Sequence, residues 1–255
     1  MPLFLLLAYI PPVYNMTFKI VREKESRAKE TMRIMGLTDL PYWMSWFVFY
    51  TFINTLMSTL AWSVLIIKVV KYSSLIYTWF FIWLYGQAIF GQIIFLQSMF
   101  TGSKYAGIVS TVVYFSGVLV FNLVKGDGDE VSRQSKMFAS LLPQVALMQG
   151  SAVFAQYEGT GVGLGKSTAS VIFGNYSFDS ALYMLVLDFF IFFLLGLYMD
   201  KVIPSDFGQR LNPCFICTPS YYKCCRSKRR QVNTQNFDSG QNNALLDDDD
   251  AFERD

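Results

Sequence analysis

Five blocks of the chain are apolar and nearly free of charge: residues 3–18, 41–67, 75–100, 105–124 and 178–200. A helix crosses the hydrocarbon core of a bilayer with about 20 such residues. Four of the blocks reach that length, and the first is clipped by the chain start. The pattern predicts an all-α integral membrane protein with five spanning helices. A further apolar stretch, 137–158, is interrupted by Pro143, Gln144, Gln149 and Gly150. It reads as a re-entrant helical hairpin, a form tolerated at membrane depth only where protein or a water-filled cavity covers the irregular backbone.

Composition agrees with this pattern. Charged residues make up 16% of the chain, against about 25% in soluble domains. The first block lacks a basic leader and a small-residue cleavage site, so it does not read as a signal peptide. There are no histidines, which removes Ser-His-Asp hydrolysis, zincin motifs and histidine proton shuttles together.

Lys and Arg concentrate on the cytosolic side of membrane segments. One cluster is Lys19, Arg22, Lys24, Arg27, Lys29 and Arg33; the other is Lys223, Arg226, Lys228, Arg229 and Arg230. Placing both in the cytosol sends 41–67 out, 75–100 in, 105–124 out and 178–200 in. The stretch 137–158 then cannot be a full crossing and belongs to the outer side.

That parity bears on "GTGVGLGKST", Gly159 to Thr168. Gly165, Lys166 and Ser167 fit the second half of a phosphate-binding loop, but Thr160 stands where its first glycine belongs. The segment falls on the outer side, follows no apolar strand and has no Walker B partner downstream. It reads as a flexible turn in an outer loop. A nucleotide-binding enzyme would rest on Gly165-Lys166-Ser167 alone.

The loop between the first two blocks, "REKESRAKETMRIMGLTDLP", predicts a helix over 22–36. Glu23–Arg27 and Glu25–Lys29 are i,i+4 pairs in the favoured order. Ala28, Met32 and Met35 form a narrow apolar stripe. Gly36 suits a left-handed stop, and Thr38 or Asp39 caps the next helix with Pro41 in its first turn. Such a helix either lies on lipid headgroups or docks a cytosolic partner. Its mixed charge favours docking.

The stretch "EKESRAKETMRIMGLTDLPYWMSWF" resembles the intracellular coupling region of A-subfamily ABC transporters, whose known substrates are largely lipids. "FASLLPQVALMQG" is similar to the family's outer hairpin, and "EGTGVGL" to the loop after it. "VLDFFIFFLLGLYMDKVIPSDFG" with "FICTPSYY" is similar to its last membrane helix and following linker. The match runs from about residue 19 to 222. It implies an ABC-2 type helical bundle with a cytosolic coupling helix and an exocytoplasmic re-entrant hairpin. It assigns Glu23, Glu25, Arg27, Glu30, Met32, Arg33, Met35 and Gly36 to contact with a nucleotide-binding domain. It further implies a second transmembrane domain as partner, a lipid substrate, no nucleic acid, and no cofactor on this chain, ATP and Mg belonging to the nucleotide-binding domain. Against the family pattern the chain is expected to lack the first helix, the large outer domain and the nucleotide-binding domain. Residues 204–255 are expected to be a linker and an acidic tail, disordered at its end. The expected function is the permease portion of an ABC-2 type lipid transporter. The alternative is a truncated, non-transporting membrane protein that assembles with or regulates a full transporter.

Few polar residues fall inside the spans. Asp188 is expected to face the bundle, because an unpaired carboxylate costs about 2.5–3.5 kcal/mol at a helix centre. It reads either as a structural hydrogen bond to Asn54 or Gln92 or as a substrate or gating contact. Gln87, Gln92 and Gln97 spiral around their helix and read as interhelical glue. Cys214, Cys217, Cys224 and Cys225 follow the last span. Their spacing closes a zinc site poorly, and reduced thiols or acylation beside the basic run remain open.

Overall fold

The computed structural model describes residues 2–68, 70–124, 132–165, 168–171 and 175–203. Lys166, Ser167, the four cysteines, and the linker and tail expected over 204–255 lie outside the described residues, as does the side chain of Arg33. Among the described residues the elements are α1 (Pro2–Ala8), α2 (Ile10–Glu25), α3 (Ala28–Ile34), α4 (Asp39–Lys68), α5 (Leu75–Ser98), α6 (Ser103–Val124), α7 (Arg133–Ala139), α8 (Pro143–Gly159) and α9 (Phe178–Val202). Five stretches are long and apolar enough to cross a membrane: Pro2–Glu25, Asp39–Ile67, Leu75–Ser98, Ser103–Val124 and Phe178–Val202.

The first crossing is made of α1 and α2 in line. Pro11 and Pro12 lack amide donors, and their rings crowd the carbonyls of Leu7 and Ala8, so the helix is interrupted at Tyr9. Bonds from Tyr9 N to Leu5 O (3.2 Å) and from Val13 N to Tyr9 O (3.1 Å) keep the halves aligned. The crossing runs past the expected end at residue 18 to Glu25, because the basic residues that follow are good helix formers.

The centre of the bundle is α5. In its most apolar stretch 78% is buried, against 22–44% in the other four crossings, which turn one face outward. A helix that is apolar all round belongs in such a centre. It runs parallel to α9 at close range, because the contact points are glycines. A Cβ on Gly91 would stand 2.8 Å from the Phe189 carbonyl oxygen, and one on Gly196 2.7 Å from the Ile94 backbone. Small residues at a seam let backbones approach where no hydrophobic force drives helices together.

Polar groups inside the bundle join its helices. The Tyr9 hydroxyl donates to Asn54 Oδ1 (2.9 Å), and Asn54 Nδ2 donates to the Trp83 carbonyl (3.0 Å). Tyr85 and Tyr114 share a hydroxyl contact of 2.8 Å, and Tyr114 donates to the Leu6 carbonyl at 2.8 Å. Gln144 Nε2 donates to Gln92 Oε1 (2.7 Å). These bonds tie α1, α4, α5, α6 and α8 together where water is absent to satisfy them.

The stretch 137–158 folds as helix, turn and helix: α7, residues 140–142, then α8. Near its far end α8 reaches the connection between α4 and α5. The Glu158 carboxylate accepts from Lys71 N, from Tyr72 N (2.8 Å) and from Ser73 Oγ (2.5 Å). Burial works against the charge, and the hydrogen bonds from Ser73 and from the amides of Lys71 and Tyr72 outweigh it, so the pKa sits below the ordinary carboxylate value. Leu164 N donates to Ser73 Oγ (2.9 Å), and Ser74 N donates to Leu164 O (2.9 Å). The loop expected as a flexible turn is therefore fastened. Among its described residues the amides of Gly161, Gly163 and Leu164 are engaged by protein, and Gly165 N donates to Thr168 Oγ1 at 2.7 Å. Gly163 carries φ 71°, and a Cβ there would fall 2.2 Å from the Tyr72 carbonyl oxygen. Glycine serves close backbone approach here.

Candidate functional site

The residues assigned to coupling gather at the opposite end of the bundle, around α3. The expected single helix over 22–36 is divided. Helix α2 ends at Glu25, Ser26 N and Arg27 N close back on Arg22 O (2.9 Å) and Lys24 O (3.1 Å), and Arg27 takes φ 57°. A left-handed non-glycine residue costs about 1–2 kcal/mol. Two ion pairs bridge the break. Lys24 Nζ lies 2.6 Å from Asp200 Oδ1, and Lys29 Nζ 2.5 Å from Asp200 Oδ2. On a continuous helix these lysines, five residues apart, point about 140° away from each other at 3.6 residues per turn. The break lets both converge on one carboxylate near the end of α9.

This cluster is largely shielded, with the Asp200 side chain 8% exposed. Its charges are satisfied further: Lys24 Nζ donates to the Gln97 carbonyl at 3.4 Å. Lys29 sits over the rings of Tyr42 and Trp43, 5.2 and 5.0 Å from their centroids, a favourable place for an ammonium. The Tyr42 hydroxyl donates to Glu23 Oε2 (2.9 Å). Glu25 Oε2 accepts from Ser103 N (3.2 Å) at the start of α6, where a negative charge favours the helix N-terminus.

The eight assigned residues thus divide by role. Glu23 and Glu25 hold the element to α4 and α6. Lys29, expected to pair with Glu25, reaches Asp200 instead. Met32 packs against the core, and Glu30 is half-buried. Arg27 is exposed at the break, and the Arg33 side chain lies outside the described residues. Met35 and Gly36 point outward, Met35 being 75% exposed. Gly36 has φ 98°, and Leu37 N closes on Met32 O (3.0 Å), which ends the helix. Sequence reasoning missed the neighbours that complete this tip: Ile34 is 87% exposed and Leu40 73%. It also missed Lys24 and Asp200. The available signal was an aspartate placed just past the apolar run of the last span.

Asp188 faces the bundle and is fully buried, but the expected bond to Asn54 or Gln92 is not made. Asn54 donates to the Trp83 carbonyl and accepts from Tyr9, and Gln92 is engaged by Gln144 through its acceptor Oε1. Both carboxylate oxygens of Asp188 lack a hydrogen-bond partner, as do Gln144 Oε1, Gln149 Nε2 and the Tyr176 hydroxyl. Burial pushes the Tyr176 phenol up to about 12.

Five crossings, a helical hairpin fastened at one end and a short element pinned by ion pairs at the other define a polytopic membrane domain. Comparison with known proteins gives the family. The ABC-2 family transporter protein profile matches residues 1–198, and the chain belongs to that family. It is 32% identical over 240 residues to the cholesterol transporter ABCA5 of Rattus norvegicus, covering 92% of this chain and 14% of that protein. It is 31% identical over 226 residues to the retinal-specific phospholipid-transporting ATPase ABCA4 of Bos taurus, covering 87% and 10%. It is 28% identical over 231 residues to the ATP-binding cassette sub-family A member 2 of Homo sapiens, covering 87% and 9%. The chain spans about a seventh or less of the length of these relatives.

Proposed function

We propose that this chain is the membrane-spanning permease portion of an ATP-driven lipid transporter, with the basic end in the cytosol and the Glu158 clasp outside. A nucleotide-binding domain carrying ATP and Mg docks on the tip of α3, and a second transmembrane domain completes the pathway. The observation that carries this reading is the exposed apolar tip of Ile34 and Met35, 87% and 75% exposed, on an element pinned to the bundle by ion pairs. Apolar side chains held out on a rigid, charged support mark an interaction surface. Lipid as cargo is supported by the names of two relatives, a cholesterol transporter and a phospholipid-transporting ATPase.

The test uses a complete transporter carrying this segment. Ile34→Asp and Met35→Asp each place an unpaired carboxylate in the contact, a change that costs several kcal/mol where a charge is buried alone. Transport-linked ATP hydrolysis is expected to fall at least about tenfold, since each 1.4 kcal/mol is a factor of ten. Membrane insertion, which depends on the apolar spans, is expected to stay intact. Charge reversal at Glu25 is a poorer probe, because it also removes the acceptor for Ser103 N. If both tip variants couple hydrolysis to transport as wild type does, α3 is a lipid-surface element and the docking assignment is wrong.

A further inference from the structure

We propose that Asp200 is a positioning residue for coupling: it makes α3 and the end of α9 one mechanical unit, so that displacement of the docked tip moves α9. This rests on the docking reading above and adds the route by which the movement enters the bundle. Three observations carry it. First, Asp200 takes both Lys24 and Lys29, at 2.6 and 2.5 Å, from either side of the break at Arg27. The hinge between α2 and α3 is thereby bridged through a third helix. Second, Lys29 is held on its other side by the Tyr42 and Trp43 rings, so swinging away would forfeit those ring contacts and leave the shielded Asp200 carboxylate with one cation fewer. Third, α9 lies against the central α5 at Gly91 and Gly196 without side chains between the backbones. A push on the end of α9 is therefore passed to α5 rather than absorbed by flexible side chains, close-packed interiors being poorly compressible. Without the Asp200 bridge α3 keeps its contacts with α4 and the core but loses its tie to α9, and displacement of the tip no longer carries α9 with it.

In the complete transporter, Asp200→Asn is expected to leave ATP hydrolysis near the wild-type rate while transport per ATP falls about tenfold, within the usual range of coupling factors between linked sites. Lys29→Met is expected to do the same. The double variant should be no worse than either single one, because residues sharing one link are not additive. Asp200→Glu, which keeps the charge, should recover most of the transport. Loss of a merely structural ion pair would lower surface abundance and hydrolysis together and would not separate the two rates.

A measurement on the intact latch covers the case in which Asp200→Asn does not fold. Spin labels at Thr31→Cys and Ile203→Cys, in a background stripped of other reactive cysteines, report the distance between α3 and the end of α9. That distance is expected to stay constant between nucleotide-free and ATP-bound states while both labels move relative to one at the outer end of α4. A change in the α3–α9 distance on ATP binding, wild-type transport per ATP in Asp200→Asn, or additive losses in the double variant each overturn the proposal. If the Ile34 and Met35 variants uncouple but Asp200→Asn does not, the docking reading stands and the latch falls. If the tip variants are silent, the docking reading falls first.

Discussion

Alanine at Gly163 tests whether the outer loop is a fastened clasp. Its φ of 71° costs an L-residue about 1–2 kcal/mol. The added Cβ would lie 2.2 Å from the Tyr72 carbonyl oxygen and 2.5 Å from its carbonyl carbon. Those atoms are backbone and cannot rotate aside, so the two loops must separate. Separation loses the bonds Leu164 N to Ser73 Oγ and Ser74 N to Leu164 O, both 2.9 Å, at about 1 kcal/mol each. A smaller unfolded-state entropy returns about 0.4–1 kcal/mol. The net expectation is about 3 kcal/mol against the closed clasp. Gly161→Ala is the control: its φ is 74°, but nothing lies within 4 Å of the added atom. There only the backbone strain acts, about 1 kcal/mol after the entropy offset. Hydrogen exchange at the Leu164 and Ser74 amides reads the local opening free energy. Gly163→Ala should speed it about a hundredfold and Gly161→Ala at most about tenfold, at 1.4 kcal/mol per decade. Equal effects of the two substitutions, or none from Gly163→Ala, would refute the close approach as the reason for glycine.

Two further outcomes are expected. The Glu158 pKa is depressed in the fold, so its contribution is present above the unfolded-chain value of about 4.3 and is lost as pH falls through the lower folded value. The clasp amides should stay protected from neutral pH to about 5, lose protection below about 4, and lose this pH dependence in Glu158→Gln. Tyr114→Phe leaves the Leu6 carbonyl and the Tyr85 hydroxyl short of a partner at a buried site, and should destabilise the domain by about 1–3 kcal/mol in thermal unfolding of the detergent-solubilised protein.

The crossings were legible because bilayer and core both select apolar side chains, so uncharged length alone reveals a span. The same uniformity conceals which span is central. Overall hydrophobicity does not separate α5 from α4, yet the former is wrapped by protein and the latter shows Phe52, Leu56 and Leu60 outward; the sign that distinguishes α5 is its small and amide residues, Gly86, Gly91, Gln87, Gln92 and Gln97. Periodicity read 22–36 as one helix because no glycine or proline marks a stop before Gly36. The break is bridged by Asp200, more than 160 positions away in the chain, a tie that local pattern does not contain. Asp188 was legible as inward-facing. The expected bonds are not made: Asn54 sits over Gly86, where an added Cβ would meet Asn54 Oδ1 at 1.7 Å, and Gln92 turns its Oε1 to Gln144 of the hairpin. The glycines of "GTGVGLGKST" imitate a phosphate loop because both structures need bare backbone. In one it approaches an anion, and here it approaches Tyr72.

The central place of α5 has a consequence for biogenesis. Gln92 enters the membrane 52 residues before Gln144, its partner, has been made, and Gly91 about 100 residues before the Phe189 backbone it packs on. At about 5–20 residues per second, a nascent α5 waits several seconds with polar amides and bare glycines turned toward lipid or toward whatever shelters it. A substitution that slows production of α8 or α9 lengthens that wait. Its damage would appear as degradation during insertion, in a protein whose finished form is sound.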